Sequence, residues 1–207
     1  MKLLITLVVI LVVLLVNEYL WRKKKIHGEL GRKLVHIIVG SFVAFWPFYL
    51  SWGNIEFLSF SFFLVVLISK KTHFFEAIHS VQRSTWGELF FAVSVGLIAI
   101  VAADKWIYMA AILQMSLADG LAAVIGTNYK LGIRYQVFGH TKSILGSLTF
   151  FIVSLLVLIA YAHFAPHQTF KMIYIVYALG ATLLENIGVA GLDNLVVPVF
   201  IAVILRP

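Results

Sequence analysis

No cysteine occurs in the 207 residues, which excludes disulfides, thiol chemistry and thiolate metal sites. Charge is scarce as well: Asp, Glu, Lys and Arg together make up 12%, against about a quarter in an average soluble chain. No internal repeat, low-complexity segment or Pro/Gly-rich linker divides the sequence, so a single integral membrane domain over 1–207 is expected, with 1–21 a peripheral first span and 28–207 the core. What fills the chain is apolar. Hydrophobic residues reach 62% and the mean hydropathy is +1.01. No soluble domain of useful size can be cut from such a sequence. The fold class it predicts is an all-α polytopic membrane protein.

The first apolar run, 3–16, continues through Asn17-Glu18-Tyr19-Leu20-Trp21 and ends in Arg22-Lys23-Lys24-Lys25. A cleavable signal would carry its charge before the run and small residues after it, so this one reads as a retained span. Further apolar segments follow at 34–50, 55–69, 87–103, 106–125, 143–163, 170–184 and 195–205. Crossing a bilayer takes about 20 residues. The count is eight transmembrane helices, with seven as the alternative.

The net charge of +7 could suggest nucleic acid, but the positions of the charges argue for membrane orientation instead. Connections 22–33, 70–85 and 126–142 hold twelve of the sixteen Lys and Arg, while Lys2, Lys105, Lys171 and Arg206 make up the other side. The twelve-to-four split places the first set in the cytoplasm and both termini outside. Glu29, His36, Glu88, Asp119, Lys142, Glu185 and Asp193 fall toward that same cytoplasmic side. Membrane lipids are therefore expected partners, and nucleic acid is not.

The chain is organised around two stretches: Ala118 through Gly126, and Lys142 through Phe151. Asp119 stands about seven residues, or roughly 10 Å of helix, before Gly126. An acid at that depth marks a functional site by default. Its bland alternative is a buried salt bridge to Lys142 or Arg32. Ala118, Ala122 and Gly126 recur every four residues, a pattern of close helix packing. Lys142, Ser143, Gly146 and Ser147 open the next span, where free amides and a lysine suit an anion. Gly139 to Ser143 resembles a P-loop ending, but the glycine before Lys142 is missing and a span surrounds it, which rules out a Walker-type fold.

Glu29, Arg32 or Lys33, and His36 share one helical face leading into the second span. Arg22 to Lys25 reads as a headgroup anchor. Thr85 and Glu88 have capping-box spacing, so Glu88 is equally a structural and a functional candidate. Glu185, Asp193 and Asn194 bracket the last turn, and Pro198 kinks or starts the final segment. Carboxylates such as Asp119, Glu185 and Asp193 suit Mg²⁺. His73, His79, His163 and His167 show no convincing metal spacing and read as interfacial.

Four blocks, taken in order, resemble the family of CTP-dependent lipid-alcohol kinases, which act on dolichol and polyprenol, phytol and farnesol, or diacylglycerol. They are Glu29-x-x-Arg32-Lys33-x-x-His36, then Asp119-x-x-Ala122-Ala123-x-x-Gly126, then Lys142-Ser143-x-x-Gly146-Ser147-x-x-x-Phe151, and Glu185 followed by Asp193-Asn194-Leu195-x-x-Pro198. The chain departs from the family pattern at Lys130, where a glycine is common. The resemblance implies transfer of the γ-phosphoryl group of CTP to the hydroxyl of a membrane lipid alcohol at the cytoplasmic face. Lys142, Arg32, Lys33, His36 and the residues around Gly126, Ser143, Gly146 and Ser147 would bind the triphosphate. Asp119 with Glu185 or Asp193 would hold Mg²⁺, and Asp119 by preference would orient or deprotonate the alcohol. Two rival readings are a cytidylyltransferase making a CDP-lipid and a small membrane transporter.

Overall fold

A computed structural model describes residues 1–23, 28–72, 86–128 and 133–207. Lys24, Lys25, His73, His79, Arg83, Ser84, Thr85 and Lys130 lie outside the described residues, as does the side chain of Glu29. The helices are α1 (Lys2–Arg22), α2 (Gly28–Ala44), α3 (Trp52–Thr72), α4 (Gly87–Val101), α5 (Lys105–Leu113), α6 (Asp119–Asn128), α7 (Ile144–Phe164), α8 (Ile173–Ile187) and α9 (Asp193–Ile204). Uninterrupted apolar sequence leaves the backbone no solvent partner, so it satisfies its own N–H and C=O groups as helix. Polar residues mark the ends. Asp104 caps α5 by accepting from the amides of Trp106 (2.7 Å) and Ile107 (3.0 Å). A 3₁₀ turn containing Pro47, Trp46–Phe48, stops the chain just beyond α2.

A five-residue π-turn, Gln114–Ala118, joins α5 to α6 into one rod at the centre of the bundle. The rod packs against α2, α7 and α9. In its most apolar stretch 61% of residues are buried, against 22% in α1, which leans on α2 at the edge. Gln114 is fully buried and donates through Nε2 to the carbonyl of Ser154 at 3.0 Å, tying the π-turn to α7. Gly120 permits the approach of α2, since a Cβ there would stand 2.3 Å from Cγ1 of Ile37.

Four described helices are long and apolar enough to cross a membrane: Lys2–Leu20, Trp52–Ser69, Lys105–Thr127 and Ile144–Phe164. The shorter apolar helices are α4, α8 and α9, and α2 has 17 residues. Against the eight or seven transmembrane helices expected from the sequence, the described residues show four long helices and several shorter ones.

The polar connection before Lys142, expected as a loop, contains an antiparallel hairpin: β1 (Arg134–Val137) pairs with β2 (His140–Ser143). Lys142 and Ser143 therefore end a strand, and α7 begins only at Ile144. Phe138 and Gly139 make the turn, both with positive φ (46° and 78°), the geometry of a two-residue hairpin loop.

Pro198 neither starts nor breaks α9; it lies inside it. Its missing N–H leaves the carbonyl of Asn194 without its helical donor. The hydroxyl of Ser94, from α4, donates to that carbonyl at 2.5 Å. The α8–α9 turn docks on the start of α4 in the same way, backbone against backbone. Trp86 donates its amide to the Ala190 carbonyl at 3.0 Å. Gly191, at φ 91°, lies so close to Gly87 that a Cβ would meet its Cα at 2.5 Å.

Candidate active site

The first turns of α2, α4, α6 and α9, the end of α8 and the end of β2 bring the polar residues of the bundle together. Asp119 from α6, Glu185 from α8 and Asp193 from α9 each offer a carboxylate oxygen, and these oxygens lie within 4.8 Å of one another. Asp119 and Glu185 are both 6% exposed. Carboxylates this close and this dry repel one another unless cations answer them. Two lysines do. Lys33 Nζ donates to Oδ2 of Asp119 at 2.5 Å, and Lys142 Nζ pairs with Oε1 of Glu185 while donating to its carbonyl at 3.0 Å.

Burial lowers the affinity of Lys142 for its proton, but the Glu185 carboxylate beside it and the hydrogen bond between them raise it further, so the ammonium is held above its ordinary pKa. His36 donates through Nε2 to the carbonyl of Met115 at 2.8 Å and stands 3.5 Å from Oδ2 of Asp119. The π-turn presents that carbonyl, a usual role for such an insertion near a functional site.

Arg32 turns the other way, placing Nη1 3.9 Å from Oε1 of Glu88. The residue that caps α4 is Trp86, with no side-chain cap bond, and Glu88 faces Arg32; the capping box expected with Thr85 lies outside the described residues. Asn194 donates through Nδ2 to the carbonyl of Gly87 at 3.1 Å, holding α4 and α9 together beside the acids.

The structure thus brings Arg32, Lys33, His36, Glu88, Asp119, Lys142, Glu185, Asp193 and Asn194 to one end of the bundle. The salt bridge of Asp119 goes to Lys33, not to Lys142 or Arg32. The remaining anion candidates have protein partners. Ser143 caps α7 by accepting from the Gly146 amide at 3.0 Å, and the Ile144 amide donates to Ile133. Gly126 and Gly146 face each other across α6 and α7, where a Cβ on Gly126 would lie 3.3 Å from the Gly146 Cα. Ser147 donates to Oδ1 of Asn186 at 2.9 Å, and Tyr135 of the hairpin bonds both of them. Tyr135 and Asn186 lie outside the sequence-derived site residues; a tyrosine next to Arg134 in a polar connection was the available signal.

A bundle this apolar belongs to a membrane protein, and opposed carboxylates and cations at one of its ends suit phosphate chemistry. No family model and no solved structure matches the chain. Over 203 aligned positions it is 34% identical to the phytol kinase of Synechocystis sp. (strain ATCC 27184 / PCC 6803 / Kazusa), an alignment covering 93% of this chain and 84% of that relative. The chain belongs to the lipid-alcohol kinase family that includes phytol kinase, and it is an enzyme, a phosphotransferase with an alcohol acceptor.

Proposed function

We propose that the protein transfers the γ-phosphoryl group of CTP to the hydroxyl of an isoprenoid lipid alcohol of the phytol type. The observation that carries this reading is the set of three acids within 4.8 Å, facing Lys33 and Lys142, in a chain of this family. Phosphoryl transfer asks little covalent chemistry of a protein. It asks for in-line positioning and neutralisation of charge, which such a set can supply.

Asp119, Glu185 and Asp193 are the residues that would hold Mg²⁺. Their carboxylate oxygens, within 4.8 Å of one another, are the hard donors that such an ion takes. An ion held there would supply charge neutralisation to the triphosphate. Lys33 and Lys142 would then release the carboxylates and turn to the triphosphate, with Arg32 beside them. In the resting site Lys33 and Lys142 answer Asp119 and Glu185; the loaded site would exchange those partners for substrate.

The Lys and Arg asymmetry supports a site facing the cytoplasm. With 15 and 12 residues, α8 and α9 extend about 22 and 18 Å, short of a hydrocarbon core of about 30 Å. The turn between them would therefore lie below the membrane surface, where a lipid hydroxyl can reach it.

Purified protein with Mg²⁺, γ-labelled CTP or ATP, and phytol, a polyprenol and a diacylglycerol tests this reading. Label from CTP in phytol is the expected result. CDP-lipid formed from α-labelled CTP and phosphatidate, with no labelled alcohol, would replace it with the cytidylyltransferase reading. No product in either assay from folded protein would end both.

A further inference from the structure

Next to His36, which stands 3.5 Å from Asp119, lies a cavity that none of the three clustered acids lines. Its polar end is formed by Arg32, His36, Glu88, Asn194 and, from α1, Asn17. From there it continues into a section lined by apolar residues apart from Ser59 and Ser61, reaching Leu7, Trp46 and Val95. Leu14, Val39, Phe62 and Phe91 line both sections, so the two are one passage walled by α1, α2, α3 and α4. The apolar section is the larger of the two. From Asn17 to Leu7 the passage follows α1 for ten residues, about 15 Å.

Unsatisfied polar atoms gather at the polar end. Glu88 Oε2 and Asn194 Oδ1 are buried without a hydrogen-bond partner, and both are acceptors. Asn17, only 7% exposed, has no hydrogen bond of its own among the described residues. A buried acceptor left unmade costs about 1–3 kcal/mol, so the passage is built to receive a donor there. A lipid alcohol brings one O–H and a long apolar tail, and the passage offers acceptors at one end and hydrocarbon over the rest.

We propose that this passage is the acceptor site: a single-chain lipid alcohol enters between α1 and the core with its tail along α1, and its hydroxyl donates to Glu88, with Asn194 and Asn17 beside it. This rests on the kinase reading above. In the transfer, the O–H bond breaks and its proton goes to Oε2 of Glu88. The alcohol oxygen forms a bond to the terminal phosphorus of the nucleoside triphosphate. The bond from that phosphorus to the bridging oxygen breaks with its electron pair, and nucleoside diphosphate leaves. Arg32, 3.9 Å from the other Glu88 oxygen, is the sequence neighbour of the phosphate-binding Lys33. Asp119, held by Lys33, is left to the metal. The first helix, which the sequence sets apart as peripheral, becomes a wall of the active site.

The test uses the full-length protein in detergent and a single-chain isoprenoid alcohol carrying a diazirine near the tail end. Labelling of α1 at the buried Leu14, suppressed by excess unlabelled alcohol but not by diacylglycerol, is expected. Labelling confined to bilayer-facing positions such as Val176 and Leu183, or equal suppression by diacylglycerol, would overturn the passage. Leu14→Trp should raise KM for the long alcohol at least about tenfold while sparing a short-chain alcohol, because it fills the shared section. Glu88→Gln should lower kcat by about 10²–10⁴ at unchanged KM, and unchanged kcat would remove the base. Should the wild-type protein phosphorylate no alcohol, the kinase reading fails by itself, and the labelling pattern still decides the passage.

Discussion

Lys33 and Asp119, 86 positions apart in the chain, are joined by a buried hydrogen-bonded ion pair that ties α2 to the central rod. Removing either partner leaves a charge in an apolar bundle, which typically costs 3–5 kcal/mol. Lys33→Met and Asp119→Leu should each lower thermal stability by about that amount and abolish activity. The double variant should recover most of the stability and none of the activity. A double variant that still turned over would show that the pair is only a structural tie.

Lys142 lies at the other end of the carboxylate cluster. Lys142→Gln keeps a hydrogen-bond donor for Glu185 but loses the charge, and kcat should fall by about 10²–10³, as when a group stabilising transition-state charge is removed. Its raised pKa fixes a pH dependence. A group bound more tightly to its proton in the folded protein adds stability fully below its ordinary pKa, about 10.4, and loses it as pH rises through the raised value. The melting-temperature gap between wild type and Lys142→Gln should therefore stay constant from about pH 6 to 9 and shrink only above about 10.4.

Chelation offers a separate test of the acids. With EDTA in excess, turnover should stop and return on adding Mg²⁺, whose small octahedral shell suits few carboxylates with water and phosphate. In Asp193→Asn the Mg²⁺ concentration for half-maximal rate should rise about 10- to 100-fold. An unchanged Mg²⁺ dependence would take Asp193 out of the metal site.

The hydroxyl of Ser94 answers the carbonyl that Pro198 leaves unbonded, which predicts a coupled pair. Ser94→Ala alone should destabilise by about 1–3 kcal/mol, the cost of an unsatisfied buried group. In a Pro198→Ala background the same change should cost clearly less, because the alanine amide supplies the helical bond. Thermal unfolding of the four proteins of this cycle measures the coupling, and equal costs in both backgrounds would refute it.

Tyr135 fastens the hairpin to α7 and α8 through Ser147 and Asn186. Tyr135→Phe should cost about 1 kcal/mol, and its effect should be non-additive with that of Ser147→Ala, since the three groups share hydrogen bonds. Hydrogen exchange of residues 134–143 should quicken in either variant, which strict additivity with unaltered exchange would contradict.

The charged half of the site was legible because apolar sequence makes every ionisable residue conspicuous: Asp119, Glu185, Asp193, Lys142 and the Arg32–Lys33 pair stand out unaided. Their partners were not. Whether Lys33 or Arg32 meets Asp119 depends on a rotation of about 100° between neighbours and on how close α2 can come, which Gly120 decides. The hairpin escaped notice because its strands are four residues long and its turn, Phe138-Gly139, lacks the usual Asn-Gly or Asp-Gly signature. The inward face of α1 is similarly muted, since the helix is aliphatic all round. Only Thr6, Asn17 and Glu18, buried among exposed leucines and valines, betray it.

The π-turn at Gln114–Ala118 makes the active site sensitive to counting. A π-turn takes up about one residue more than α-helix over the same arc, so deleting one residue from it returns plain helix with α5 and α6 in phase, whereas inserting one more would swing everything beyond it by about 100°. The buried side of α5 would keep its seat while the acid at the head of α6 pointed away from Lys33. Such an insertion, of alanine, alters no charge and no ligand, and the hydropathy of the segment hardly changes. It would still disarm the protein as a mis-set gear tooth does, by phase alone.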